Sequence, residues 1–402
     1  MSAKMPNDQF LLYAFDGEPG EGAVAEVLAR ARRCPDLAVR VNDRGALRYP
    51  AWVRRDVEED QIVIQGPAAG WQHCLDAVAR LADDQLDLRR AAWRLHLFGP
   101  VPDVPNCEGP ATVAVMQVGH ALGDGMRSSA LAGVLFGRTA VVPQIQHSRR
   151  GWFVARSAAA ARAHTRLEQD TARGQVPPPA SPRPVLSINN RPEGRRTIRT
   201  VVRRREQLPA GTVTVAVLSA IAEALADYLR SRGEDPSTLG AEVPMAKSHV
   251  RHANNHFGNV GIGLYPDLPS GDRMQRIAAD LDDRRRRREH PALAAGDRAL
   301  ASVPAPLLRW GVRQFDVTAR SPVVTGNTVV SSVNRGPADL TFGGRPVALT
   351  AGYPALSPMM GLTHVVHGIG DTIAISVHTT ESAVADVDDY AARLSGALAQ
   401  PG

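Results

Sequence analysis

The apolar and polar positions of the chain divide it into alternating helical and extended segments. Over 23–34, Val24, Val27, Leu28 and Ala31 recur at three- and four-residue spacing, which predicts a helix with one buried face. Short strand-like runs follow at 37–41, 46–49 and 61–65. A second helix is expected over 71–86, with Cys74, Leu75, Val78 and Leu81 inward. Between 92 and 98, Trp93, Leu95 and Leu97 alternate with other residues, as in a half-buried strand. A proline-rich turn covers 100–110, and 111–118 (ATVAVMQV) is a continuous apolar run of the kind that forms a buried strand. Met126, Ala130, Leu131, Val134 and Leu135 then fall at helical spacing.

The pattern breaks at about residue 144. Residues 149–173 are rich in Ala and Arg and can be helical, whereas Val176-Pro-Pro-Pro-Ala-Ser-Pro-Arg-Pro184 cannot, and reads as an extended linker. Beyond it, 197–205 alternates as a strand, and 213–229 is a helix with Leu218, Ile221, Leu225 and Tyr228 inward. Strands are expected at 241–246, 259–265, 328–333, 345–350, 361–367 and 372–378. Helices are expected at 273–288, on Met274, Ile277 and Leu281, and at 384–398. The two halves have similar element content without sequence repetition. The expected division is an N-terminal domain 1–143, a crossover 144–196 and a C-terminal domain 197–402, each long enough for its own core.

Composition narrows the class. Hydrophobic content of 44% and charged content of 22% are those of an ordinary soluble globular protein. The net charge of +6 is carried almost wholly by arginine, Lys4 and Lys247 being the only lysines. Such a balance attracts phosphorylated cofactors or an anionic membrane surface. The run Arg284 to Arg288 reads first as a solvated face that suits a helix C-terminus, with coenzyme A phosphates or a membrane as the other readings. Nucleic acid is not an expected partner: zinc-finger spacing, an RNP-like aromatic cluster and a glycine-rich basic tail are all absent. Cys34, Cys74 and Cys107 are odd in number and widely spaced, against a disulfide framework or a metal site and in keeping with a reducing cytoplasm. The chain opens without a signal-peptide pattern and contains no run of 18 apolar residues, so no spanning helix is expected; peripheral membrane contact stays open.

The candidate chemistry lies in Gly119-His120-Ala121-Leu122-Gly123-Asp124-Gly125, where the expected strand turns into the expected helix. A neutral imidazole there can take a proton from a hydroxyl, because its ordinary pKa of about 6.5 lies near pH 7. Asp124 stands four residues on across a tight turn, a spacing that points its carboxylate away from the ring and makes it structural or orienting. Gly123 and Gly125 are expected to supply positive φ or close approach, and Ser128 and Ser129 to cap the helix start. His73, His96, His147, His164 and His290 fall in helix-like, strand-like or arginine-rich stretches and read as structural or solvated.

This string resembles the H-H-x-x-x-D-G motif of the coenzyme A-dependent acyltransferase superfamily. More narrowly, the chain resembles the bacterial wax ester synthase/diacylglycerol acyltransferase family. Met5 to Leu12 is similar to that family's opening segment, and Leu86 to Leu97 to its P-L-D-x-x-x-P-L-W stretch. Ile188 to Arg196 is similar to its L-N-x-P-x-G-x-R, Phe257 to Pro269 to its G-N strand, and Ser332 to Pro337 to its S-N-V-P-G-P. Three positions depart from it: Gly119 replaces the first motif His, Thr214-Val215 stands for Asn-Asp, and Ser332-Val-Asn334 is a shuffled Ser-Asn-Val. The resemblance implies a mixed α/β (α+β) fold of two chloramphenicol-acetyltransferase-like domains, a pseudo-dimer with an interdomain tunnel. It implies an O-acyltransferase that moves a fatty acyl group from acyl-CoA to a long-chain alcohol or diacylglycerol. His120 would be the general base, Asp124 would pair with an arginine, and Gly125 would complete the catalytic turn. Gly119, Asn259 and Asn334 would contact substrate, the two asparagines as candidate oxyanion donors from the second half, and His364, His367 and His378 could line the acceptor tunnel. Acyl-CoA enters as co-substrate, with no permanently bound cofactor and no metal, in a cytoplasmic protein open to peripheral contact with a membrane or lipid droplet. The departures leave an alternative: a catalytically diverged relative that acylates a specialised metabolite, or a non-catalytic lipid- or partner-binding protein. An open tunnel to His120 would mark the enzyme, a plugged one the binding protein.

Overall fold

The computed structural model describes residues 5–139, 141–146 and 151–399. The first part comprises β1 (Asp8–Phe15), α1 (Ala23–Arg33), β2 (Val39–Asn42), β3 (Ala51–Arg54), β4 (Ile62–Gly66), α2 (Trp71–Leu81), β5 (Trp93–Val101), β6 (Ala111–Gly119) and α3 (Gly125–Leu135). The crossover holds α4 (Phe153–Ala172) and β7 (Arg183–Pro184). The second part opens with β8 (Arg196–Arg204), α5 (Val213–Arg230), β9 (Gly240–Ala246), β10 (Phe257–Gly263), α6 (Ser270–Arg288), α7 (Pro291–Leu300) and α8 (Ala305–Gln314). It ends with β11 (Val323–Val324), β12 (Thr328–Asn334), β13 (Thr341–Phe342), β14 (Arg345–Pro354), β15 (Leu362–Ile369), β16 (Thr372–Thr380) and α9 (Val387–Ala397).

Twelve of these strands form two mixed six-stranded sheets, ordered β13-β14-β1-β6-β5-β4 and β10-β9-β12-β15-β16-β8, while β2 pairs with β3 and β7 with β11. All nine residues of β6 are buried, which is why it reads as an unbroken apolar run rather than an alternation. β1 has the same character; it was not among the expected strands, because a short apolar run has no period of its own. It pairs antiparallel with β6 on one side and β14 on the other, Leu12 lying opposite both Val115 and Ala351. The expected C-terminal domain 197–402 therefore does not close on itself. Its strands β13 and β14 complete the first sheet, and β14 also packs on β15 and β16 of the second. At this junction the buried Arg335 donates to the Tyr13 hydroxyl and to the His367 ring, joining β12, β1 and β15.

Three apolar cores result. One packs α1 and α3 on the first sheet, and one packs α5, α6 and α9 on the second. The third lies on the other face of the first sheet, with α2, and takes in Ile198 and Ala374 from the second sheet. Two expected boundaries are corrected. The strand expected at 46–49 is a turn, set by Gly45 at φ +80° and followed by Pro50, and pairing begins only at Ala51. The helix expected over 71–86 stops at Leu81. Two short helices, α7 and α8, were not expected; each begins at a proline within its first turn.

Candidate active site

The buried strand β6 carries the chain into the middle of the molecule and releases it at Gly119. His120 follows, its amide donating to the Asn7 carbonyl at 3.0 Å. The ring is half-buried. Its Nδ1 lies 3.2 Å from the Gly123 carbonyl, which can only accept, so we assign the proton to Nδ1 and the lone pair to Nε2. Gln9 Nε2 lies against the same Nδ1 and donates to the Gly123 carbonyl at 3.0 Å; a proton on Nδ1 requires that this carbonyl, and not Nδ1, be the acceptor of the Gln9 amide. Burial pushes the imidazole pKa below its ordinary value, against smaller opposing effects of the Gly123 carbonyl and the Asp124 charge. The ring is therefore neutral at pH 7, with Nε2 unengaged among the described residues.

Asp124 takes no part in orienting that ring through a hydrogen bond. It is the N-cap of α3, its Oδ1 accepting from the Arg127 amide at 3.0 Å. Its Oδ2 accepts from Arg251 at 2.8 Å and from the His256 amide at 2.9 Å. Burial alone would raise its pKa, but these three donors and the Arg251 charge hold it below the usual carboxylate range. Arg127 braces the same turn through the Leu122 and Pro143 carbonyls and an ion pair of 2.5 Å with Asp36. The cap is thus Asp124 and not the serines: Ser128 and Ser129 bond back to the carbonyls of Gly123 and Gly125.

The second half clamps this turn through contacts that the sequence reading did not assign. Asn254 and Asn255 donate to the carbonyls of Ala121 and His120 at 2.8 and 2.9 Å. Phe257, the first residue of β10, stacks on the His120 ring at 5.7 Å between centroids. The one available signal was the partner arginine implied for Asp124, which is Arg251.

Other expected residues take different places. Neither Gly123 nor Gly125 has positive φ; both serve close approach, a Cβ on Gly125 falling 3.2 Å from Val333 of β12 and one on Gly123 3.0 Å from Arg127. A Cβ on Gly119 would overlap the side chain of Leu88, which fills the space beside the first motif position. Asn259 lies on the face of β10 that carries Phe257, but its amide donates to Glu242 at 2.9 Å. Asn334 accepts from the Gly336 amide in its own turn. It shares a strand face with Val330, which packs in the helix-covered core, and so points away from Val333 and the His120 turn. His364 is buried against Thr328 and Tyr390, with its pKa pushed down to about 3 by burial. His378 is bonded to the Pro354 carbonyl and pushed down to about 4, again by burial. With His367 bound by Arg335, none of the three reaches His120. His96 bridges Gln65 and Gln117, His164 pairs with Glu168, and His290 caps α7. His147 lies outside the described residues. In the arginine run, Arg284 and Arg287 donate to the Pro178 and Pro177 carbonyls and fasten the linker to α6, while Arg285 and Arg286 pair with Asp282 and Asp283. Among the described residues no group of three or more His, Cys, Asp or Glu is placed to hold a metal ion, and no helix is long and apolar enough to cross a membrane.

Comparison with known proteins agrees with this arrangement. Residues 254–400 match the family described as the WS/DGAT C-terminal domain. No curated protein matches the chain. Among solved structures, the wax ester synthase/diacylglycerol acyltransferase from Marinobacter aquaeolei VT8 is similar at a TM-score of 0.63 and 19% identity, covering 98% of this chain and 94% of that one. The starter condensation domain of rhizomide synthetase, solved as a mutant in complex with C8-CoA and Leu-SNAC, is similar at 0.58 and 13%, covering 99% and 92%. The first condensation domain of the CDA synthetase follows at 0.57 and 15%, covering 98% and 92%. The fold is the mixed α/β pseudo-dimer of chloramphenicol-acetyltransferase-like halves.

Proposed function

We propose that this chain is an O-acyltransferase that moves a fatty acyl group from acyl-CoA to an alcohol, with His120 as general base. The observation that carries the reading is a neutral imidazole at the seam between the halves, its Nδ1 held by the Gly123 carbonyl and its Nε2 unengaged among the described residues. In the reaction Nε2 takes the proton of the acceptor hydroxyl as its oxygen attacks the thioester carbonyl. The new C–O bond forms, the C–S bond breaks, and the departing thiolate takes the proton back from the imidazolium, giving ester and free thiol. Asp124 serves as a positioning residue: it holds the turn to the second half and leaves the ring to its backbone partners. The same fold in a structure complexed with C8-CoA supports acyl-CoA as donor. A lipid acceptor also needs an apolar approach. Helix α8 exposes Leu307, Leu308 and Trp310, an apolar patch suited to peripheral contact with a lipid surface, while Arg309 between them is paired with Asp43.

The test is purified protein with labelled acyl-CoA and a panel of alcohols. Ester should form, and His120→Ala should lower turnover by about 10²–10⁴-fold with the thermal midpoint largely kept. Ester formation near the wild-type rate in that variant would remove His120 from the role. Flotation with anionic vesicles checks the surface: Trp310→Ser should shift the protein toward the unbound fraction.

A further inference from the structure

The hairpin of β2 and β3 lies against the junction of α7 and α8, and a cavity of about 700 Å³ opens between them. Arg44, Leu47 and Arg48 form its hairpin wall, and Val303, Pro304 and Pro306 its helix wall. Side-chain bonds fix the two walls against each other. The Tyr49 hydroxyl donates to the Val303 carbonyl, and Arg309 donates to Asp43 at 2.5 Å and to the Arg48 carbonyl at 3.4 Å. Asp43 and Arg309 thus neutralise one another beside the cavity.

Arg44 and Arg48 have no such partner. Both are exposed, and among the described residues neither guanidinium has a carboxylate within ion-pair distance. Two cations on one wall attract an anion, and a planar guanidinium suits a phosphate, which two of its N–H groups can grip at once. The rest of this surface is apolar. Leu47 is 80% exposed, and Pro306 leads on along α8 to Leu307 and Trp310, which are three residues apart, lie on one helix face and are exposed as well. A free phosphate would use the arginines and leave these apolar side chains in water. An anionic phospholipid uses both, its phosphate in the cavity and its acyl chains beside the exposed leucines and tryptophan.

We propose that the cavity between the β2–β3 hairpin and α8 is a headgroup site for an anionic phospholipid, its phosphate held by Arg44 and Arg48 while Leu47, Leu307 and Trp310 enter the acyl layer. The hairpin belongs to the first half and α8 to the second, so one lipid surface touches both. The proposal rests on the reading of α8 as a lipid-contacting helix, and not on the chemistry at His120.

The experiment is flotation with vesicles of phosphatidylcholine alone and of phosphatidylcholine with phosphatidylglycerol, each variant first checked for an unchanged thermal midpoint. Wild type should prefer the anionic vesicles. Arg44→Gln with Arg48→Gln should lower binding to them by about tenfold or more, the value of two arginines at a charged surface, and leave binding to phosphatidylcholine nearly as it was. Arg191→Gln with Arg204→Gln removes the same charge from exposed positions outside the cavity and should cost much less. Calorimetry with dihexanoyl phosphatidylglycerol, dispersed as monomers, then reads the site without a membrane: wild type should bind it and the Arg44/Arg48 variant should not. No preference for anionic vesicles, an equal loss in both charge-removing variants, or inorganic phosphate binding as tightly as the short-chain lipid would overturn the proposal. Lipid binding that depends on Arg44 and Arg48, with flotation untouched by Trp310→Ser, would keep the headgroup site and remove the reading of α8 instead.

Discussion

His120 owes its protonation state to its surroundings rather than to a relay partner. Burial depresses its pKa, so the unprotonated form that the proposed general base requires persists below the usual value of about 6.5. The acid limb of kcat/KM against pH should accordingly lie below about 6.5, and a limb above that value would contradict the neutral ring. Asp124 should answer differently. Asp124→Asn keeps the helix cap but leaves the half-buried Arg251 without its counter-charge, a loss of about 1–3 kcal/mol, below that of a fully buried pair broken on one side. Urea unfolding should report it, and the penalty should shrink in an Arg251→Met background. The place of His120 at the strand-to-helix turn and the outward direction of Asp124 were readable in the sequence because both follow from that local turn. Arg251, Asn254 and Asn255 were not, since they reach the turn across more than 125 residues from a loop with no apolar period, and the stacking of Phe257 on the ring left no local mark either. Asn334 was misjudged for a related reason: which strand face meets the partner half is set by packing, not by the residue.

At the scale of elements, the β6–α3 turn works by exclusion of side chains. Gly125 lets α3 approach Val333 of the second half, and Gly119 leaves room for Leu88. Gly119→Ala should destabilise the fold by about 1–3 kcal/mol through overpacking. Leu88→Ala should relieve most of that cost, so the double variant should be more stable than the sum of the single effects predicts. Additive thermal shifts would show that Leu88 does not hold that space. The motif strand and its helix were legible because a fully apolar run followed by helical spacing leaves few alternatives. β1 was not legible, since the same kind of run without a flanking turn signal fits a buried helix as well as a strand. α7 and α8 were missed because each is only ten residues long and carries a proline in its first turn, in a stretch whose prolines read as breaks.

At the scale of the whole molecule, the halves are joined by a shared sheet as well as by a linker. Trypsin should cut early at the exposed Arg173, beside Gly174 at φ +73° and just beyond α4. The fragments should still elute as one particle, because β14 remains paired with β1; separation without denaturant would contradict that pairing. The similar content of the two halves was legible in the sequence, but the exchange of β13 and β14 was not, since strand pairing at that separation leaves no local mark. The exchange has a consequence for synthesis. β1 and β6 leave the ribosome early, but their sheet lacks β14 until roughly 235 further residues have been made after Gly119, a delay on the order of 10–50 s at about 5–20 residues per second. Throughout that interval β1 is an unpaired apolar edge open to chaperones or to aggregation, and a nascent chain stalled before Pro354 should need a holdase to stay in solution.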